Sequence, residues 1–149
     1  MKRRGIENSL IAVIDTNVIV SALISKRDDT PPYLIVRSIF DGIITPIFNP
    51  DILNEYREVL LRPKFNLDPS DVEAFLIAFV QIGLSVEEVT DIPLSLPDPK
   101  DLVFYRVQKS IENAYLVTGN LKHFPQESRI VSPADILLIK NKSRLGCDF

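Results

Sequence analysis

At four points along the chain Asn, Asp or Ser, each a helix-capping residue, stands directly before proline: Asn49-Pro50, Asp68-Pro69, Asp98-Pro99 and Ser132-Pro133. A capping side chain accepts from an unpaired N–H of the first helical turn, and proline at the next position has its φ already set for a helix. Each pair therefore fixes a helix start. Between these starts lie short apolar runs of strand length. Residues 10–14, Leu-Ile-Ala-Val-Ile, form a continuous run of the kind found in a central strand buried on both faces. Residues 42–48 read as a second strand, in which Pro46 points towards an edge or a bulge. Further strands are expected at 84–89, 115–118 and 129–131. Helices are expected at 18–25, at 32–40, from Pro50 to before Pro63, from Pro69 to a stop at Gly83, at 99–110 and after Pro133, with a proline-rich loop at 92–97. Strands alternating with helices predict an α/β fold, a three-layer α/β/α sandwich around a central, mostly parallel sheet. One domain is expected over residues 1–149, with 141–149 as a flexible tail.

The 149 residues are 46% hydrophobic and 25% charged. A chain of this size buries roughly 70% of its unfolded surface, enough for a core without cross-links. Cys147 is the only cysteine and His123 the only histidine, so neither an internal disulfide nor a Cys/His zinc site can be assembled. The longest apolar stretch, residues 74–80, is far too short to span a membrane. The basic start Met1-Lys2-Arg3-Arg4 leads into an apolar run broken at Asp15, without a signal-cleavage pattern. A cytoplasmic protein is the expectation. The net charge of −3 does not advertise nucleic-acid binding, so a polyanion would need a local basic patch or metal ions.

In parallel sheets ligands bind beyond the carboxyl ends of the strands, the end at which Asp15, Asp98, Asp101 and Asn120 are expected. Asp15 follows the first strand directly, with Thr16 and Asn17 beside it, and a helix cap there is compatible with a role in chemistry. Glu55 lies at the edge of the apolar face formed by Ile52, Tyr56, Val59 and Leu60, whereas Glu58 points away from it. A boundary residue paired with Arg62 or Lys64 is the plainer reading of Glu55. Asp98-Pro99-Lys100-Asp101 has an internal control in Asp68-Pro69-Ser70-Asp71, the same capping pattern without a chemical role. What separates the two is position, since the second copy precedes the helix that feeds the strand ending at Thr118.

These residues resemble the PIN-domain metal-dependent ribonucleases, in particular the VapC-like toxin components of toxin-antitoxin pairs. The resemblance rests on the run Val13-Ile14-Asp15-Thr16-Asn17-Val18, on Ile52-Leu53-Asn54-Glu55-Tyr56 with Arg62-Pro63-Lys64-Phe65, and on Asp98-Pro99-Lys100-Asp101 with Thr118-Gly119-Asn120. It implies that Asp15, Glu55 and Asp101 bind one or two Mg²⁺ or Mn²⁺ ions, with Asp98 competing for the third place. Asn120 stands where many relatives carry an acid, which implies weaker metal binding or one occupied position. The resemblance also implies cleavage of RNA to a 5'-phosphate and a 3'-hydroxyl and an antitoxin partner, and the helix that begins at Pro69, apolar on more than one face, predicts a homodimer in line with the family's habit. Thr16, Asn17, Arg62, Lys64, Thr118 and Lys122 are the expected substrate contacts, with Arg57 and Lys100 as further cations and Tyr105, Phe124 and His123 as further candidates.

The physical chemistry agrees. Two carboxylates ~4 Å apart repel by ~4 kcal/mol at an effective dielectric near 20, so three in one cleft call for a cation or a proton. Oxygen ligands select hard ions, which polarise phosphate and acidify water. A haloacid-dehalogenase-type phosphatase would need a second Asp where Asn17 stands. No Gly-Lys-Ser/Thr or Gly-x-Gly-x-x-Gly loop supports a nucleotide fold. The alternative from another class is a weakly active or non-catalytic PIN-like module that binds RNA or protein.

Overall fold

The computed structural model describes residues 9–87 and 96–146, with side chains to 142. The first strand, β1 (Leu10–Ile14), carries Ala12, Val13 and Ile14 with no exposed surface. Helix α1 (Thr16–Ile24) follows at once because Asp15, in extended conformation, caps it. It thus begins two residues before its expected start. Helix α2 (Pro31–Phe40) is capped by Thr30 and leads to β2 (Ile44–Phe48). Asn49 then caps α3 (Pro50–Leu60), its Oδ1 accepting from the Ile52 N–H at 2.9 Å. A 3₁₀ turn (Pro63–Phe65) precedes α4 (Pro69–Ile82), which closes as expected at Gly83.

After α4 comes β3 (Leu84–Ser85), shorter than the strand expected at 84–89; residues 88 and 89 of that stretch, and 92–95 of the proline-rich loop, lie outside the described residues. The single helix expected at 99–110 is a 3₁₀ turn (Pro99–Asp101) running into α5 (Leu102–Gln108). Then follow β4 (Tyr115–Val117), a 3₁₀ turn (Leu121–His123), β5 (Ile130–Val131) and α6 (Pro133–Gly146). Of the segment expected to form a tail, residues 141–146 continue α6, and 147–149 lie outside the described residues.

The sheet order is β3-β2-β1-β4-β5, and all four pairings are parallel. With helices packed on it, the sheet gives the three-layer α/β/α arrangement. The chain leaves β1 on one side to reach β2 and β3, and returns on the other side to β4 and β5. The order therefore reverses between β1 and β4, and a crevice opens beyond their carboxyl ends.

Pro46 does not make β2 an edge strand. A residue in a parallel strand turns both backbone groups to one side, and the Phe48 C=O accepts from the Val86 N–H at 2.8 Å, so Pro46 also faces β3. Pairing there begins only at Ile47 with Leu84, so the missing N–H of Pro46 removes no ladder bond. Gly83 permits the close approach. A Cβ on it would lie 2.6 Å from the Phe48 ring and 2.7 Å from the Pro46 carbonyl oxygen.

The core joins these layers through four aromatic rings: Phe48 on β2, Tyr56 on α3, Phe79 on α4 and Phe104 on α5. Tyr56 stands edge-on to Phe79 with centroids 5.5 Å apart, and Phe48 lies 5.6 Å from the same ring. Helix α5 packs against β1, β2 and β4. No described helix is long and apolar enough to cross a membrane.

Candidate active site

Asp15 stands at the carboxyl tip of β1, and its own N–H donates to the Val117 carbonyl at 2.9 Å, extending the β1–β4 ladder by one step. The side chain is held from three directions. Oδ1 accepts from the Thr16 N–H at 2.8 Å, while Oδ2 accepts from Thr118 Oγ1 at 2.7 Å and from Asn17 Nδ2 at 3.3 Å. Only 6% of the residue is exposed. Burial raises its pKa to about 6, the Thr118 hydroxyl pulls it down, and the Asp101 carboxylate pushes it up again.

Asp101 arrives from the 3₁₀ turn before α5 and is half-buried. Its pKa is also raised, first by burial and then by Asp98, with Glu55 adding in the same sense. His123 counters this, its Nδ1 lying 3.2 Å from Asp101 Oδ2. Glu55 sits at the edge of the buried face of α3, and Glu58 is exposed, as the helical spacing predicts. Asp15, Asp101 and Glu55 therefore form one electrostatic group drawn from three elements. Asp98 is exposed and caps the turn, accepting from the Lys100 N–H at 3.0 Å. It acts on Asp101 from outside.

Tyr56 carries a role beyond the apolar face in which the sequence places it. Its hydroxyl donates to the Ile14 carbonyl at 2.5 Å, one residue before Asp15, and its ring lies 6.4 Å from Phe104 in the helix that follows Asp101. It fixes the neighbour of Glu55 to the neighbour of Asp15. The only trace of this in the sequence is the Glu-Tyr pair at the boundary of an amphipathic helix.

The expected substrate contacts divide into two groups. Thr118 is fully buried and Thr16 nearly so, and Thr118 Oγ1 also accepts from the Asn120 N–H at 2.9 Å. Thr118 thus holds Asp15 in place. The Thr16 hydroxyl is buried without a hydrogen-bond partner. Asn17 ties the tips of β1 and β4 together, accepting from the Gly119 N–H at 3.3 Å. Arg62, Lys64, Lys100 and Lys122 are exposed, as is Asn120. Arg57 is engaged by Glu73 at 2.8 Å and 3.2 Å. Tyr105 and Phe124 are buried, and the Tyr105 hydroxyl donates to Glu127 at 2.6 Å, which removes both rings as stacking surfaces.

A family model described as PIN domain matches residues 12–122, a span that contains Asp15, Glu55, Asp98, Asp101 and Asn120. The chain belongs to the PIN-domain family. Neither the comparison with curated proteins nor that with solved structures gives a match. PIN domains are generally nucleases and typically bind divalent metals. Among the described residues no three His, Cys, Asp or Glu side chains close on one point tightly enough to grip an ion. The donor chemistry nevertheless fits one. Its acids offer carboxylate oxygens, with Asp15 buried and two pKa values raised by burial and mutual repulsion, and a hard divalent cation relieves both costs.

Proposed function

We propose that this PIN-domain protein is a Mg²⁺- or Mn²⁺-dependent endoribonuclease, the toxin of a toxin-antitoxin pair. The observation that carries the reading is the buried Asp15 carboxylate, coupled to Asp101 at the point where the strand order reverses. Asp15, Glu55 and Asp101 would hold the cation, with Asn120 as a neutral oxygen at the rim and Asp98 outside. When bound, the ion supplies Lewis-acid polarisation of the scissile phosphate and acidifies water.

The chain's own residues supply the frame. Thr118, Thr16 and Asn17 fix the Asp15 oxygens in one orientation, and Tyr56 keeps the Glu55 backbone next to them. His123 steadies Asp101. Arg62, Lys64 and Lys122 draw the polyanion towards an acidic centre that would otherwise repel it. The tight burial of Asp15 keeps water away from all but its exposed edge, which strengthens every charge interaction there.

An antitoxin protein is the further partner in this reading, and a second copy of the chain is another. On α4, Val72, Leu76 and Phe79 face the core, while Ile77 and Val80 remain 59% and 43% exposed, an apolar surface suited to a homodimer. A second function, a PIN-fold module that binds RNA without cutting it, is favoured by the open spacing of the acids. Incubation of mixed single-stranded RNA with the protein in Mg²⁺, Mn²⁺ or EDTA separates the two. Cleavage that requires metal and vanishes in Asp15→Asn supports the nuclease. Binding without cleavage in either metal supports the module.

A further inference from the structure

Beside the acids lies a second cleft of about 360 Å³, opened between the carboxyl ends of β4 and β5 and lined by residues 118–123 and Ser132. Its volume falls within the range of roughly 300–1,000 Å³ typical of ligand clefts. Two of its walls are shared with the acidic site, since Thr118 donates to Asp15 and His123 touches Asp101. We infer that this cleft holds one unpaired nucleobase of the substrate, adjoining the phosphate at the acidic centre. The inference deepens the ribonuclease reading and rests on it for the identity of the substrate.

The chemistry of the lining carries the assignment. Leu121 is 44% exposed, a large apolar side chain left uncovered in the lining, and it offers apolar contact to the face of a base. Asn120 offers both an amide donor and an amide acceptor, the complementary pair needed to read a base edge. His123, whose Nδ1 lies 3.2 Å from Asp101, completes the lining on the side of the acids. Ser132 adds a hydroxyl, although that oxygen already accepts from the Asp135 N–H at 3.1 Å. Lys122, exposed at the same turn, is the cation of the lining and suits the phosphate that accompanies the base. A lining that combines an apolar side chain with amide and hydroxyl groups suits a base better than a bare phosphate or a sugar. Single-stranded RNA is read through splayed bases of this kind.

Nuclear magnetic resonance titration of the metal-free protein in EDTA, using the four nucleoside monophosphates and ribose 5-phosphate, tests the assignment without requiring cleavage. The expected result is a set of amide shifts centred on residues 119–123 and Ser132, produced by at least one nucleotide and not by ribose 5-phosphate. Leu121→Ala, which removes the apolar contact for the base, should weaken that binding by about tenfold. Leu138→Ala, which removes an exposed apolar side chain from α6, should leave it unchanged. Equal shifts from ribose 5-phosphate, shifts elsewhere, or unaltered affinity in Leu121→Ala would overturn the inference. Failure of RNA cleavage would sink the nuclease reading but leave the titration result intact, so the two failures are distinguishable.

Discussion

At the scale of single residues, Asp15 is the centre of the proposed chemistry and carries an energetic cost. Its pKa is about 6 in the folded chain against 3.8 for an ordinary Asp, so between these values the folded state binds the proton more tightly than the unfolded state does. Without metal, its stabilising protonation is complete below pH 4 and is lost as pH rises through 6. The loss amounts to about 3 kcal/mol, two pKa units at about 1.4 kcal/mol each. Asp101 shifts in the same direction. Denaturant unfolding of the metal-free protein at pH 4.5 and 7.5 should show about 2 kcal/mol of this fall, and Asp15→Asn should flatten it and raise stability at pH 7.5. A profile that rises over the interval in the wild type would contradict the account. Tyr56→Phe should cost about 1–3 kcal/mol by leaving the Ile14 carbonyl unpaired in the core, and should lower cleavage more than its thermal shift explains. Kinetics measured well below the melting temperature separate the two effects.

At the scale of elements, the caps and the short strands were legible because their signals are local. Asn49 before Pro50 and Asp68 before Pro69 each mark a helix whose observed start agrees with the chemistry of its cap. Pro46 was misleading, because whether a missing N–H matters depends on which neighbour the strand turns it towards, and that is a tertiary fact. The same limit hides that Thr118 holds Asp15 and that Tyr56, within the core, reaches Ile14. Their roles are set by bonds to Asp15 and Ile14, 103 and 42 residues away in sequence. The grouping of Asp15, Glu55 and Asp101 was suggested by the order of the motifs, and the structure couples their charges, whereas the outer position of Asp98 required the turn to be seen. Gly83→Ala should destabilise the chain by about 1–3 kcal/mol, since its Cβ would overlap the Phe48 ring and the Pro46 carbonyl. A thermal melt equal to wild type would show that the α4–β3 junction can shift at little cost.

At the scale of the whole molecule, the sheet order decides where chemistry can occur. Reversal between β1 and β4 opens one crevice, and the chain places its buried acid at that point, its second acid on the turn into α5 and its third on α3. The surface of α4 belongs to this scale too. Sedimentation at micromolar concentration should give a dimer, and Ile77→Asp should give a folded monomer; a monomeric wild type would remove the dimer from the account. The most direct test of the central claim is a calorimetric Mn²⁺ titration of the wild type and Asp15→Asn at pH 7.5, with circular dichroism confirming that both are folded. Saturable binding in the wild type that disappears in the variant is the predicted result. Equal binding by both proteins, or none by either, would contradict the assignment of this acidic crevice as a divalent-cation site.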